Sequence, residues 1–325
     1  MRILKVYILI LSGMLLLPSI ARSQQSTQYS LYHLDKHLFN PAYAGVEPEL
    51  TATAIVRNQW LGINGSPLYQ QLSLNAPLIA GNSGIGLNFE NDNLGLEHNI
   101  NASVSYSHRF RFSENGFLAA GIRGVWSGKS LDGTKITTPD GKYEPGSSPD
   151  HKDGLLPVGK SRGNIFGIGA GILLRAGNFE VGAGVDNIVP GEYKFEAFQI
   201  KYDPTWYLNA GWLLPVSDFW QLKLDGLART DGTLVQTDAV VKILMGNNMF
   251  AGSSFRGYSN RTIDAISVFA GIRVMESLTL AASYDLGLSD LRDIHSGSIE
   301  FGLRYSYGNK IFREKLPVVI YNPRY

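Results

Sequence analysis

The 325-residue chain predicts an all-β protein, a transmembrane antiparallel β-barrel of about fourteen strands with short periplasmic turns and longer external loops. Three observations predict this fold class. Polar and apolar residues alternate along most of the chain, the alternating segments are long, and the connections between them are alternately short and long.

Alternation is clearest between Asn99 and Phe112, where even-numbered positions are apolar except for His108 and odd-numbered positions are polar. Because a strand points successive side chains to opposite faces, one face of this segment is nearly all apolar. The pattern recurs at 278–288 and 296–309. A soluble sandwich also alternates, but its strands are typically about five or six residues long. The longer segments suit the roughly nine to eleven tilted residues that cross a bilayer.

Alternation predicts fourteen strands, at 49–60, 68–77, 83–91, 97–112, 116–128, 164–176, 178–188, 204–214, 218–229, 233–246, 248–256, 262–274, 277–288 and 296–309. Connections after even-numbered strands are short, and those after odd-numbered strands are mostly longer, including 129–163 and 189–203. Outer-membrane barrels have short periplasmic turns and longer external loops. Aromatic residues near the segment ends predict two interfacial girdles, formed by Trp60, Trp126, Trp206, Phe219, Trp220, Tyr305 and Tyr307.

The N-terminus has the pattern of a cleavable secretory signal. Arg2 and Lys5 precede an apolar stretch from Tyr7 to Leu17, and small residues occupy the expected positions in 21–23. A mature chain that begins at Gln24 is therefore predicted, with an uncleaved signal anchor as the alternative. The predicted division of the chain is a signal peptide at 1–23, an N-terminal periplasmic segment at 24–48, the outer-membrane barrel at 49–309 and a C-terminal periplasmic tail at 310–325.

Composition and motifs argue against an enzyme. The net charge of +1 implies no attraction to nucleic acid, and the lack of cysteine excludes thiolate chemistry. Beyond Gln24 no run approaches the roughly 18 apolar residues of a transmembrane helix. The chain has no G-x-S-x-G elbow and no H-E-x-x-H zinc motif. The prediction is that it has no catalytic residues, no cofactor-binding site and no metal site.

Two glycine-rich segments superficially suggest phosphate-binding loops, at 167–171 and 182–184. Each lies inside a strand pattern with no following helix, so close approach of another part of the chain is the preferred interpretation. Charged residues on the predicted inward faces, including Glu180, Asp225 and Glu300, either line a pore or pair internally. Alternation does not choose between these two roles.

Two segments go beyond generic barrel features, Leu38–Gly45 and Arg57–Pro67, the second running into Leu72–Leu78. With Gly84–Leu87, Asn91–Gly95 and Tyr284–Leu286 they resemble the PorP/SprF family of type IX secretion and gliding-motility outer-membrane proteins. The resemblance covers essentially the whole mature chain. It implies localisation in the outer membrane of a Bacteroidota-type bacterium.

The resemblance further implies a role in the export or surface attachment of a secreted adhesin-like protein that bears a dedicated C-terminal domain. Periplasmic type IX secretion components and outer-membrane lipid are the other implied partners. The candidate motif residues are Asn40, Pro41, Tyr43, Gly45, Trp60, Gly62, Gly65 and Pro67. They either contact a partner or serve structure, as an entry turn or plug at the barrel rim. The alternative function is a channel or transporter for small solutes.

Overall fold

The computed structural model describes residues 27–78, 82–196, 198–246, 248–257 and 263–308. Within them, fourteen strands form one closed antiparallel barrel and two short strands form a separate hairpin. The barrel strands are β1 (Leu50–Asn58), β2 (Leu68–Pro77), β3 (Ser83–Leu94), β4 (Glu97–Ser113), β5 (Gly116–Asp132), β6 (Lys160–Ala176), β7 (Phe179–Asp186), β10 (Thr205–Pro215), β11 (Trp220–Thr230), β12 (Val235–Met245), β13 (Met249–Arg256), β14 (Ala265–Met275), β15 (Leu278–Gly287) and β16 (Ser298–Tyr307). The hairpin strands are β8 (Gly191–Lys194) and β9 (Gln199–Tyr202). The predicted fold class is confirmed. The predicted signal peptide and C-terminal tail lie outside the described residues.

The first and last strands close the barrel. β1 pairs with β16 from Leu50↔Tyr307 to Asn58↔Ile299 and also pairs with β2. Every other barrel strand pairs with its neighbours in the chain, except that β7 pairs directly with β10 because the β8–β9 hairpin lies outside the barrel sheet. The first residue of β1 and the last residue of β16 therefore lie at the same end of the barrel as the short turns.

The structure differs from the sequence prediction in two of the longer connections. β5 and β6 remain paired as far as Asp132↔Lys160, so each strand extends four residues into the predicted loop 129–163. The predicted loop 189–203 contains the β8–β9 hairpin. These two features are joined, because Leu131 and Ile165 on the extended strands pack against Tyr193 and related side chains of the hairpin.

The outer face of the barrel is apolar and the inner face is polar. Val104, Leu280 and Leu303 are exposed on the outside, at 57%, 40% and 41%. Ser283, which alternates with these apolar positions, is buried inside. This confirms the predicted strand register, in which the hydrophobic set faces lipid. Among the described residues, no helix is both long enough and apolar enough to cross a bilayer.

Five of the seven predicted girdle aromatics are exposed near the ends of the strands, namely Trp206, Phe219, Trp220, Tyr305 and Tyr307. Trp126 is also exposed, but it lies six residues before the end of β5 because that strand extends to Asp132. The prediction is wrong for Trp60. β1 ends at Asn58, and Trp60 adopts a left-handed backbone conformation with φ of 57°. Its ring is half-buried at the barrel mouth against His295, with ring centroids 6.4 Å apart.

Residues 27–46, here called the plug, lie inside the barrel. The sequence predicts a separate periplasmic segment over 24–48, whereas the described part of that segment up to residue 46 is almost entirely buried. It consists of three short 3-10 turns, Tyr32–Leu34, Lys36–Leu38 and Pro41–Tyr43. The reason is chemical. An inward face of charged and polar groups needs hydrogen-bond partners, and the plug supplies them.

Candidate functional site

The plug makes hydrogen bonds to all fourteen barrel strands. One wall partner from each strand, in strand order, is Arg57, Gln71, Asp92, Ser107, Arg123, Ile172, Glu180, Asn209, Asp225, Gln236, Arg256, Ser267, Asp285 and Glu300. A segment that reaches every strand fills the cross-section of the lumen at its own level. The plug therefore occludes the barrel.

A buried ionic cluster holds the middle of the plug. The Lys36 ammonium donates to Glu180 at 2.5 Å and to Asp225. Glu180 is also paired with Arg175 at 2.7 Å, whereas the Asp225 side chain is 1% exposed and pairs with Lys36 alone among the described residues. Because an uncompensated charge in such a site is costly, Lys36 is the group that neutralises Asp225.

A second ionic cluster holds the start of the plug at the junction of β1 and β16. The backbone N–H groups of Ser30 and Leu31 donate to the Glu300 carboxylate at 2.9 and 2.8 Å. Arg57 on β1 pairs with Glu300 on β16 at 3.1 Å and with Asp285 on β15 at 2.7 Å. Carboxylates that accept both backbone and guanidinium donors form charge-assisted hydrogen bonds, which are the strong ones.

The N-P-A-Y-A-G motif forms the last turn of the plug. The Asn40 side chain accepts from the Ala42 N–H at 2.9 Å and donates to the Ile172 carbonyl of β6 at 3.0 Å. Pro41 is the first residue of the 3-10 turn, where its missing N–H is no loss. The Tyr43 hydroxyl accepts from Asn209 at 2.6 Å and lies 3.3 Å from Glu180.

Glycines in the plug and in the barrel wall allow the two backbones to approach each other closely. Gly45 has a φ of 58°, and a Cβ there would lie 2.5 Å from the Ala76 carbonyl and 2.6 Å from the Cα of Gly84. A Cβ on Gly121 of β5 would lie 2.5 Å from the backbone of Pro41 and Ala42. In the two glycine-rich segments, Gly171, Gly182 and Gly184 face Phe39 and Asn40 in the same way. Close approach of another part of the chain is thus the confirmed reason for these glycines.

The two histidines of the plug are uncharged at neutral pH. Burial lowers the pKa of His33 well below its usual value, and Lys242 lowers it further. Burial and then Arg123 lower the pKa of His37 in the same way. The plug therefore fills the lumen without adding imidazolium charge to a wall that already carries buried arginines and lysines.

Between the plug and the long-loop end of the barrel lies a cavity of about 1080 Å³, here called the chamber. Tyr29 and Tyr32 of the plug form part of its lining, and Tyr193 and Tyr202 of the β8–β9 hairpin line another part. The remaining lining comes from the inward faces of the strands and from the long loops. This shape is a concave site with aromatic and polar walls, the usual form of a binding site.

The second candidate motif forms a loop at the chamber mouth. The backbone N–H of Trp60 donates to the Ser298 hydroxyl at 3.2 Å. The backbone N–H of Leu61 donates to the Gly297 carbonyl, and the Leu61 carbonyl accepts from the Ser296 N–H, each at 2.8 Å. Gly62 and Gly65 have φ of 95° and 74°, and the Pro67 carbonyl accepts from Gln59 at 2.9 Å. The loop is thereby fixed to the connection between β15 and β16.

The structure brings the eight candidate residues together in two groups at opposite ends of β1. Asn40, Pro41, Tyr43 and Gly45 are buried in the plug, and the Trp60 loop lies at the chamber mouth. The residue pattern alone did not predict that Lys36, Arg57 and Arg123 anchor the plug. The available signal was the set of charged residues at inward positions, which the structure shows to pair internally with the plug and with one another.

A family model described as type IX secretion system membrane protein PorP/SprF matches residues 21–305. The chain belongs to the PorP/SprF family. Its closed barrel and this family membership make it a bacterial outer-membrane protein of type IX secretion. No curated protein sequence matches the chain.

Several solved structures resemble the barrel of this PorP/SprF protein. The Ralstonia pickettii toluene transporter TbuX is 10% identical, with 89% of this chain and 97% of that chain covered and a TM-score of 0.49. The Pseudomonas putida toluene transporter TodX is 11% identical, with 89% and 95% covered and a TM-score of 0.47. The Acinetobacter baumannii outer membrane protein Omp33 is 7% identical, with 81% and 100% covered and a TM-score of 0.46.

Proposed function

We propose that this PorP/SprF protein supports the export or surface attachment of a secreted adhesin-like protein with a dedicated C-terminal domain, together with periplasmic type IX secretion components. The supporting observation is the plug. A solute channel needs a continuous aqueous path, and about sixteen to eighteen strands leave one. Here the lumen of a fourteen-strand barrel is crossed by the plug, which is hydrogen-bonded to every strand.

The short turns and the long loops assign the two ends of the barrel. Short turns are periplasmic in outer-membrane barrels and longer loops are external, so the chamber opens to the cell surface. The Trp60 loop then presents a half-buried aromatic ring to an external partner. Tyr43 and its neighbours, being buried in the plug, hold the plug rather than contact a partner. The periplasmic secretion components would then contact the barrel at the end that carries the short turns.

The first experiment compares Trp60→Ala with Trp206→Ala. Both substitutions remove an indole at the long-loop end, but Trp206 is 55% exposed on the outer face of the barrel. Assembly is measured by the heat-dependent shift of the barrel on a gel, and function by recovery of the partner at the cell surface. We expect normal assembly in both variants and loss of surface partner only in Trp60→Ala. Normal partner recovery in Trp60→Ala contradicts the proposed contact, and loss of the barrel assigns Trp60 to structure.

The second experiment addresses the alternative function, a channel for small solutes, which the polar inner face favours. Purified protein in a planar bilayer should show little steady conductance, because the plug closes the lumen. A variant that lacks residues 27–46 but still assembles should conduct. Large, steady single-channel currents from the unaltered protein would support the channel instead.

A further inference from the structure

The chamber wall contains two carboxylates that form no ion pair with any residue that the structure describes. Glu90 and Asp92 are alternate residues of β3 and so point to the same inward face. Within the described ranges, Glu90 accepts hydrogen bonds from Asn88 at 2.8 Å and Asn101 at 3.2 Å and from no other residue. Asp92 accepts from Thr27 at 2.7 Å through one oxygen, and its other oxygen has no partner among the described residues.

Other carboxylates that line the chamber do form ion pairs. Asp186 pairs with Arg123 at 3.2 Å, and Asp238 pairs with Arg256 at 2.8 Å. No described lysine, arginine or histidine forms an ion pair with Glu90 or Asp92. Leaving buried charges unpaired is unfavourable, and two neighbouring carboxylates raise that cost by mutual repulsion. A cation between them would remove both penalties.

Two aromatic side chains lie beside these carboxylates in the chamber wall. Tyr29 of the plug and Tyr69 of β2 are 4% and 8% exposed, and their rings pack edge to face with centroids 6.5 Å apart. Tyr29 lines the chamber, and its hydroxyl is buried without a hydrogen-bond partner among the described residues. Burial, followed by the negative charges of Glu90 and Asp92, raises the pKa of Tyr29 well above its usual value. The hydroxyl is therefore a neutral group beside the two carboxylates.

We propose that Glu90, Asp92, Tyr29 and Tyr69, here called the recess, bind the arginine or lysine side chain of an extended polypeptide that enters the chamber from its mouth. A guanidinium has five donors in a planar fork that matches carboxylates, and its face packs well on aromatic rings. The chamber, at about 1080 Å³, has room for several residues around that side chain. Amides beside the carboxylates, including Asn99 and Asn101, offer hydrogen bonds to the ligand backbone.

This inference rests on the proposed function for the source of the polypeptide, since the exported partner supplies it. Recognition by the recess requires only the charged arginine or lysine side chain and not the rest of the partner. A short peptide can therefore test the recess without the partner, and the two ideas fail separately.

The probe is the peptide acetyl-Ala-Ala-Arg-Ala-Ala-amide, titrated by calorimetry into the full-length barrel in detergent. Its matched control replaces arginine by citrulline, which keeps the shape and removes the charge. We expect saturable binding of the arginine peptide and at least tenfold weaker binding of the citrulline peptide. Equal binding of the two peptides, or no binding of either, would overturn the proposal.

The variants are Asp92→Asn and Glu90→Gln, alone and combined, with Asp231→Asn as the control. Asn at position 92 can still accept from Thr27, so the plug contact is kept. Asp231 also lines the chamber, but it lies between β11 and β12, whereas Glu90 and Asp92 lie on β3. The combined variant should bind the arginine peptide at least tenfold more weakly, while Asp231→Asn should change binding less than twofold. Equal loss in both would show general charge attraction and overturn the recess.

Two outcomes separate this inference from the proposed function. If the peptide binds the recess but Asp92→Asn leaves surface recovery of the partner unchanged, the recess stands and its use in export is wrong. If the peptide does not bind while Trp60→Ala loses the partner, the proposed function stands and the recess is wrong. If binding appears only after residues before Thr27 are removed, the chain itself occupies the recess and the partner role is overturned.

Discussion

Replacement of Lys36 by methionine is the sharpest test of how the plug is held. Methionine replaces the aliphatic stem of the lysine side chain but lacks the ammonium that pairs with Glu180 and Asp225. Glu180 retains Arg175, so the main loss falls on Asp225, whose side chain is 1% exposed. Removing one partner of a buried ion pair typically costs about 3–5 kcal/mol. The docked state of the plug should lose about that much relative to the released state.

Hydrogen exchange of the plug amides measures this loss directly, because exchange reports the free energy of local opening. A cost of about 3–5 kcal/mol corresponds to roughly a hundred- to several-thousand-fold faster exchange over residues 27–46. Barrel strands should keep their protection. The matched control is Lys152→Met, which breaks an ion pair with Asp150 in which both side chains are about half exposed. It should change exchange of the plug by less than twofold.

A double variant identifies the cause. Combining Lys36→Met with Asp225→Asn removes the charge that was left unpaired, and protection of the plug should return in part. A change of less than tenfold in Lys36→Met, or no recovery in the double variant, would refute the view that this ion pair holds the plug.

Three further predictions concern the barrel. Gly121→Val should displace the plug, because a Cβ at this position would already lie 2.5 Å from plug backbone, and single-channel conductance should rise while the heat-dependent gel shift persists. Val104→Arg should cost on the order of 2–4 kcal/mol in folding into lipid bilayers, whereas Ser103→Arg should cost much less because Ser103 lines the chamber; equal costs would contradict the register. Protease added to intact cells should cut within 133–159 and leave two membrane-bound fragments, and a requirement for cell lysis would invert the assignment of the two barrel ends.

The strands could be predicted from sequence because lipid on one side and a polar lumen on the other impose a period of two. The prediction of 68–77 for β2 and 97–112 for β4 agrees with the structure to within one residue. The β8–β9 hairpin could not be found in this way, since four residues per strand contain too little alternation. Its position depends instead on packing against Leu131 and Ile165.

The plug could be predicted only in part. Glycines inside strands indicated that another segment approaches the wall, but nothing local identified which segment. The contacts that position the plug are long-range, as between Ser30 and Glu300, which are 270 residues apart in the chain. Patterns read in short windows detect the faces of an element and not its distant partners, so the polar anchors could be recognised only as charged groups on inward faces.

The pairing of β1 with β16 has a consequence for how the molecule is assembled. Glu300 accepts from Ser30 and Leu31 and also pairs with Arg57, so three contacts converge on one carboxylate of the final strand. None of them can form before that strand has reached its place. The first residues of the plug are synthesised before every strand, yet they acquire these contacts only when the last strand is in place. Closure of the barrel wall and fixation of the start of the plug are therefore coupled.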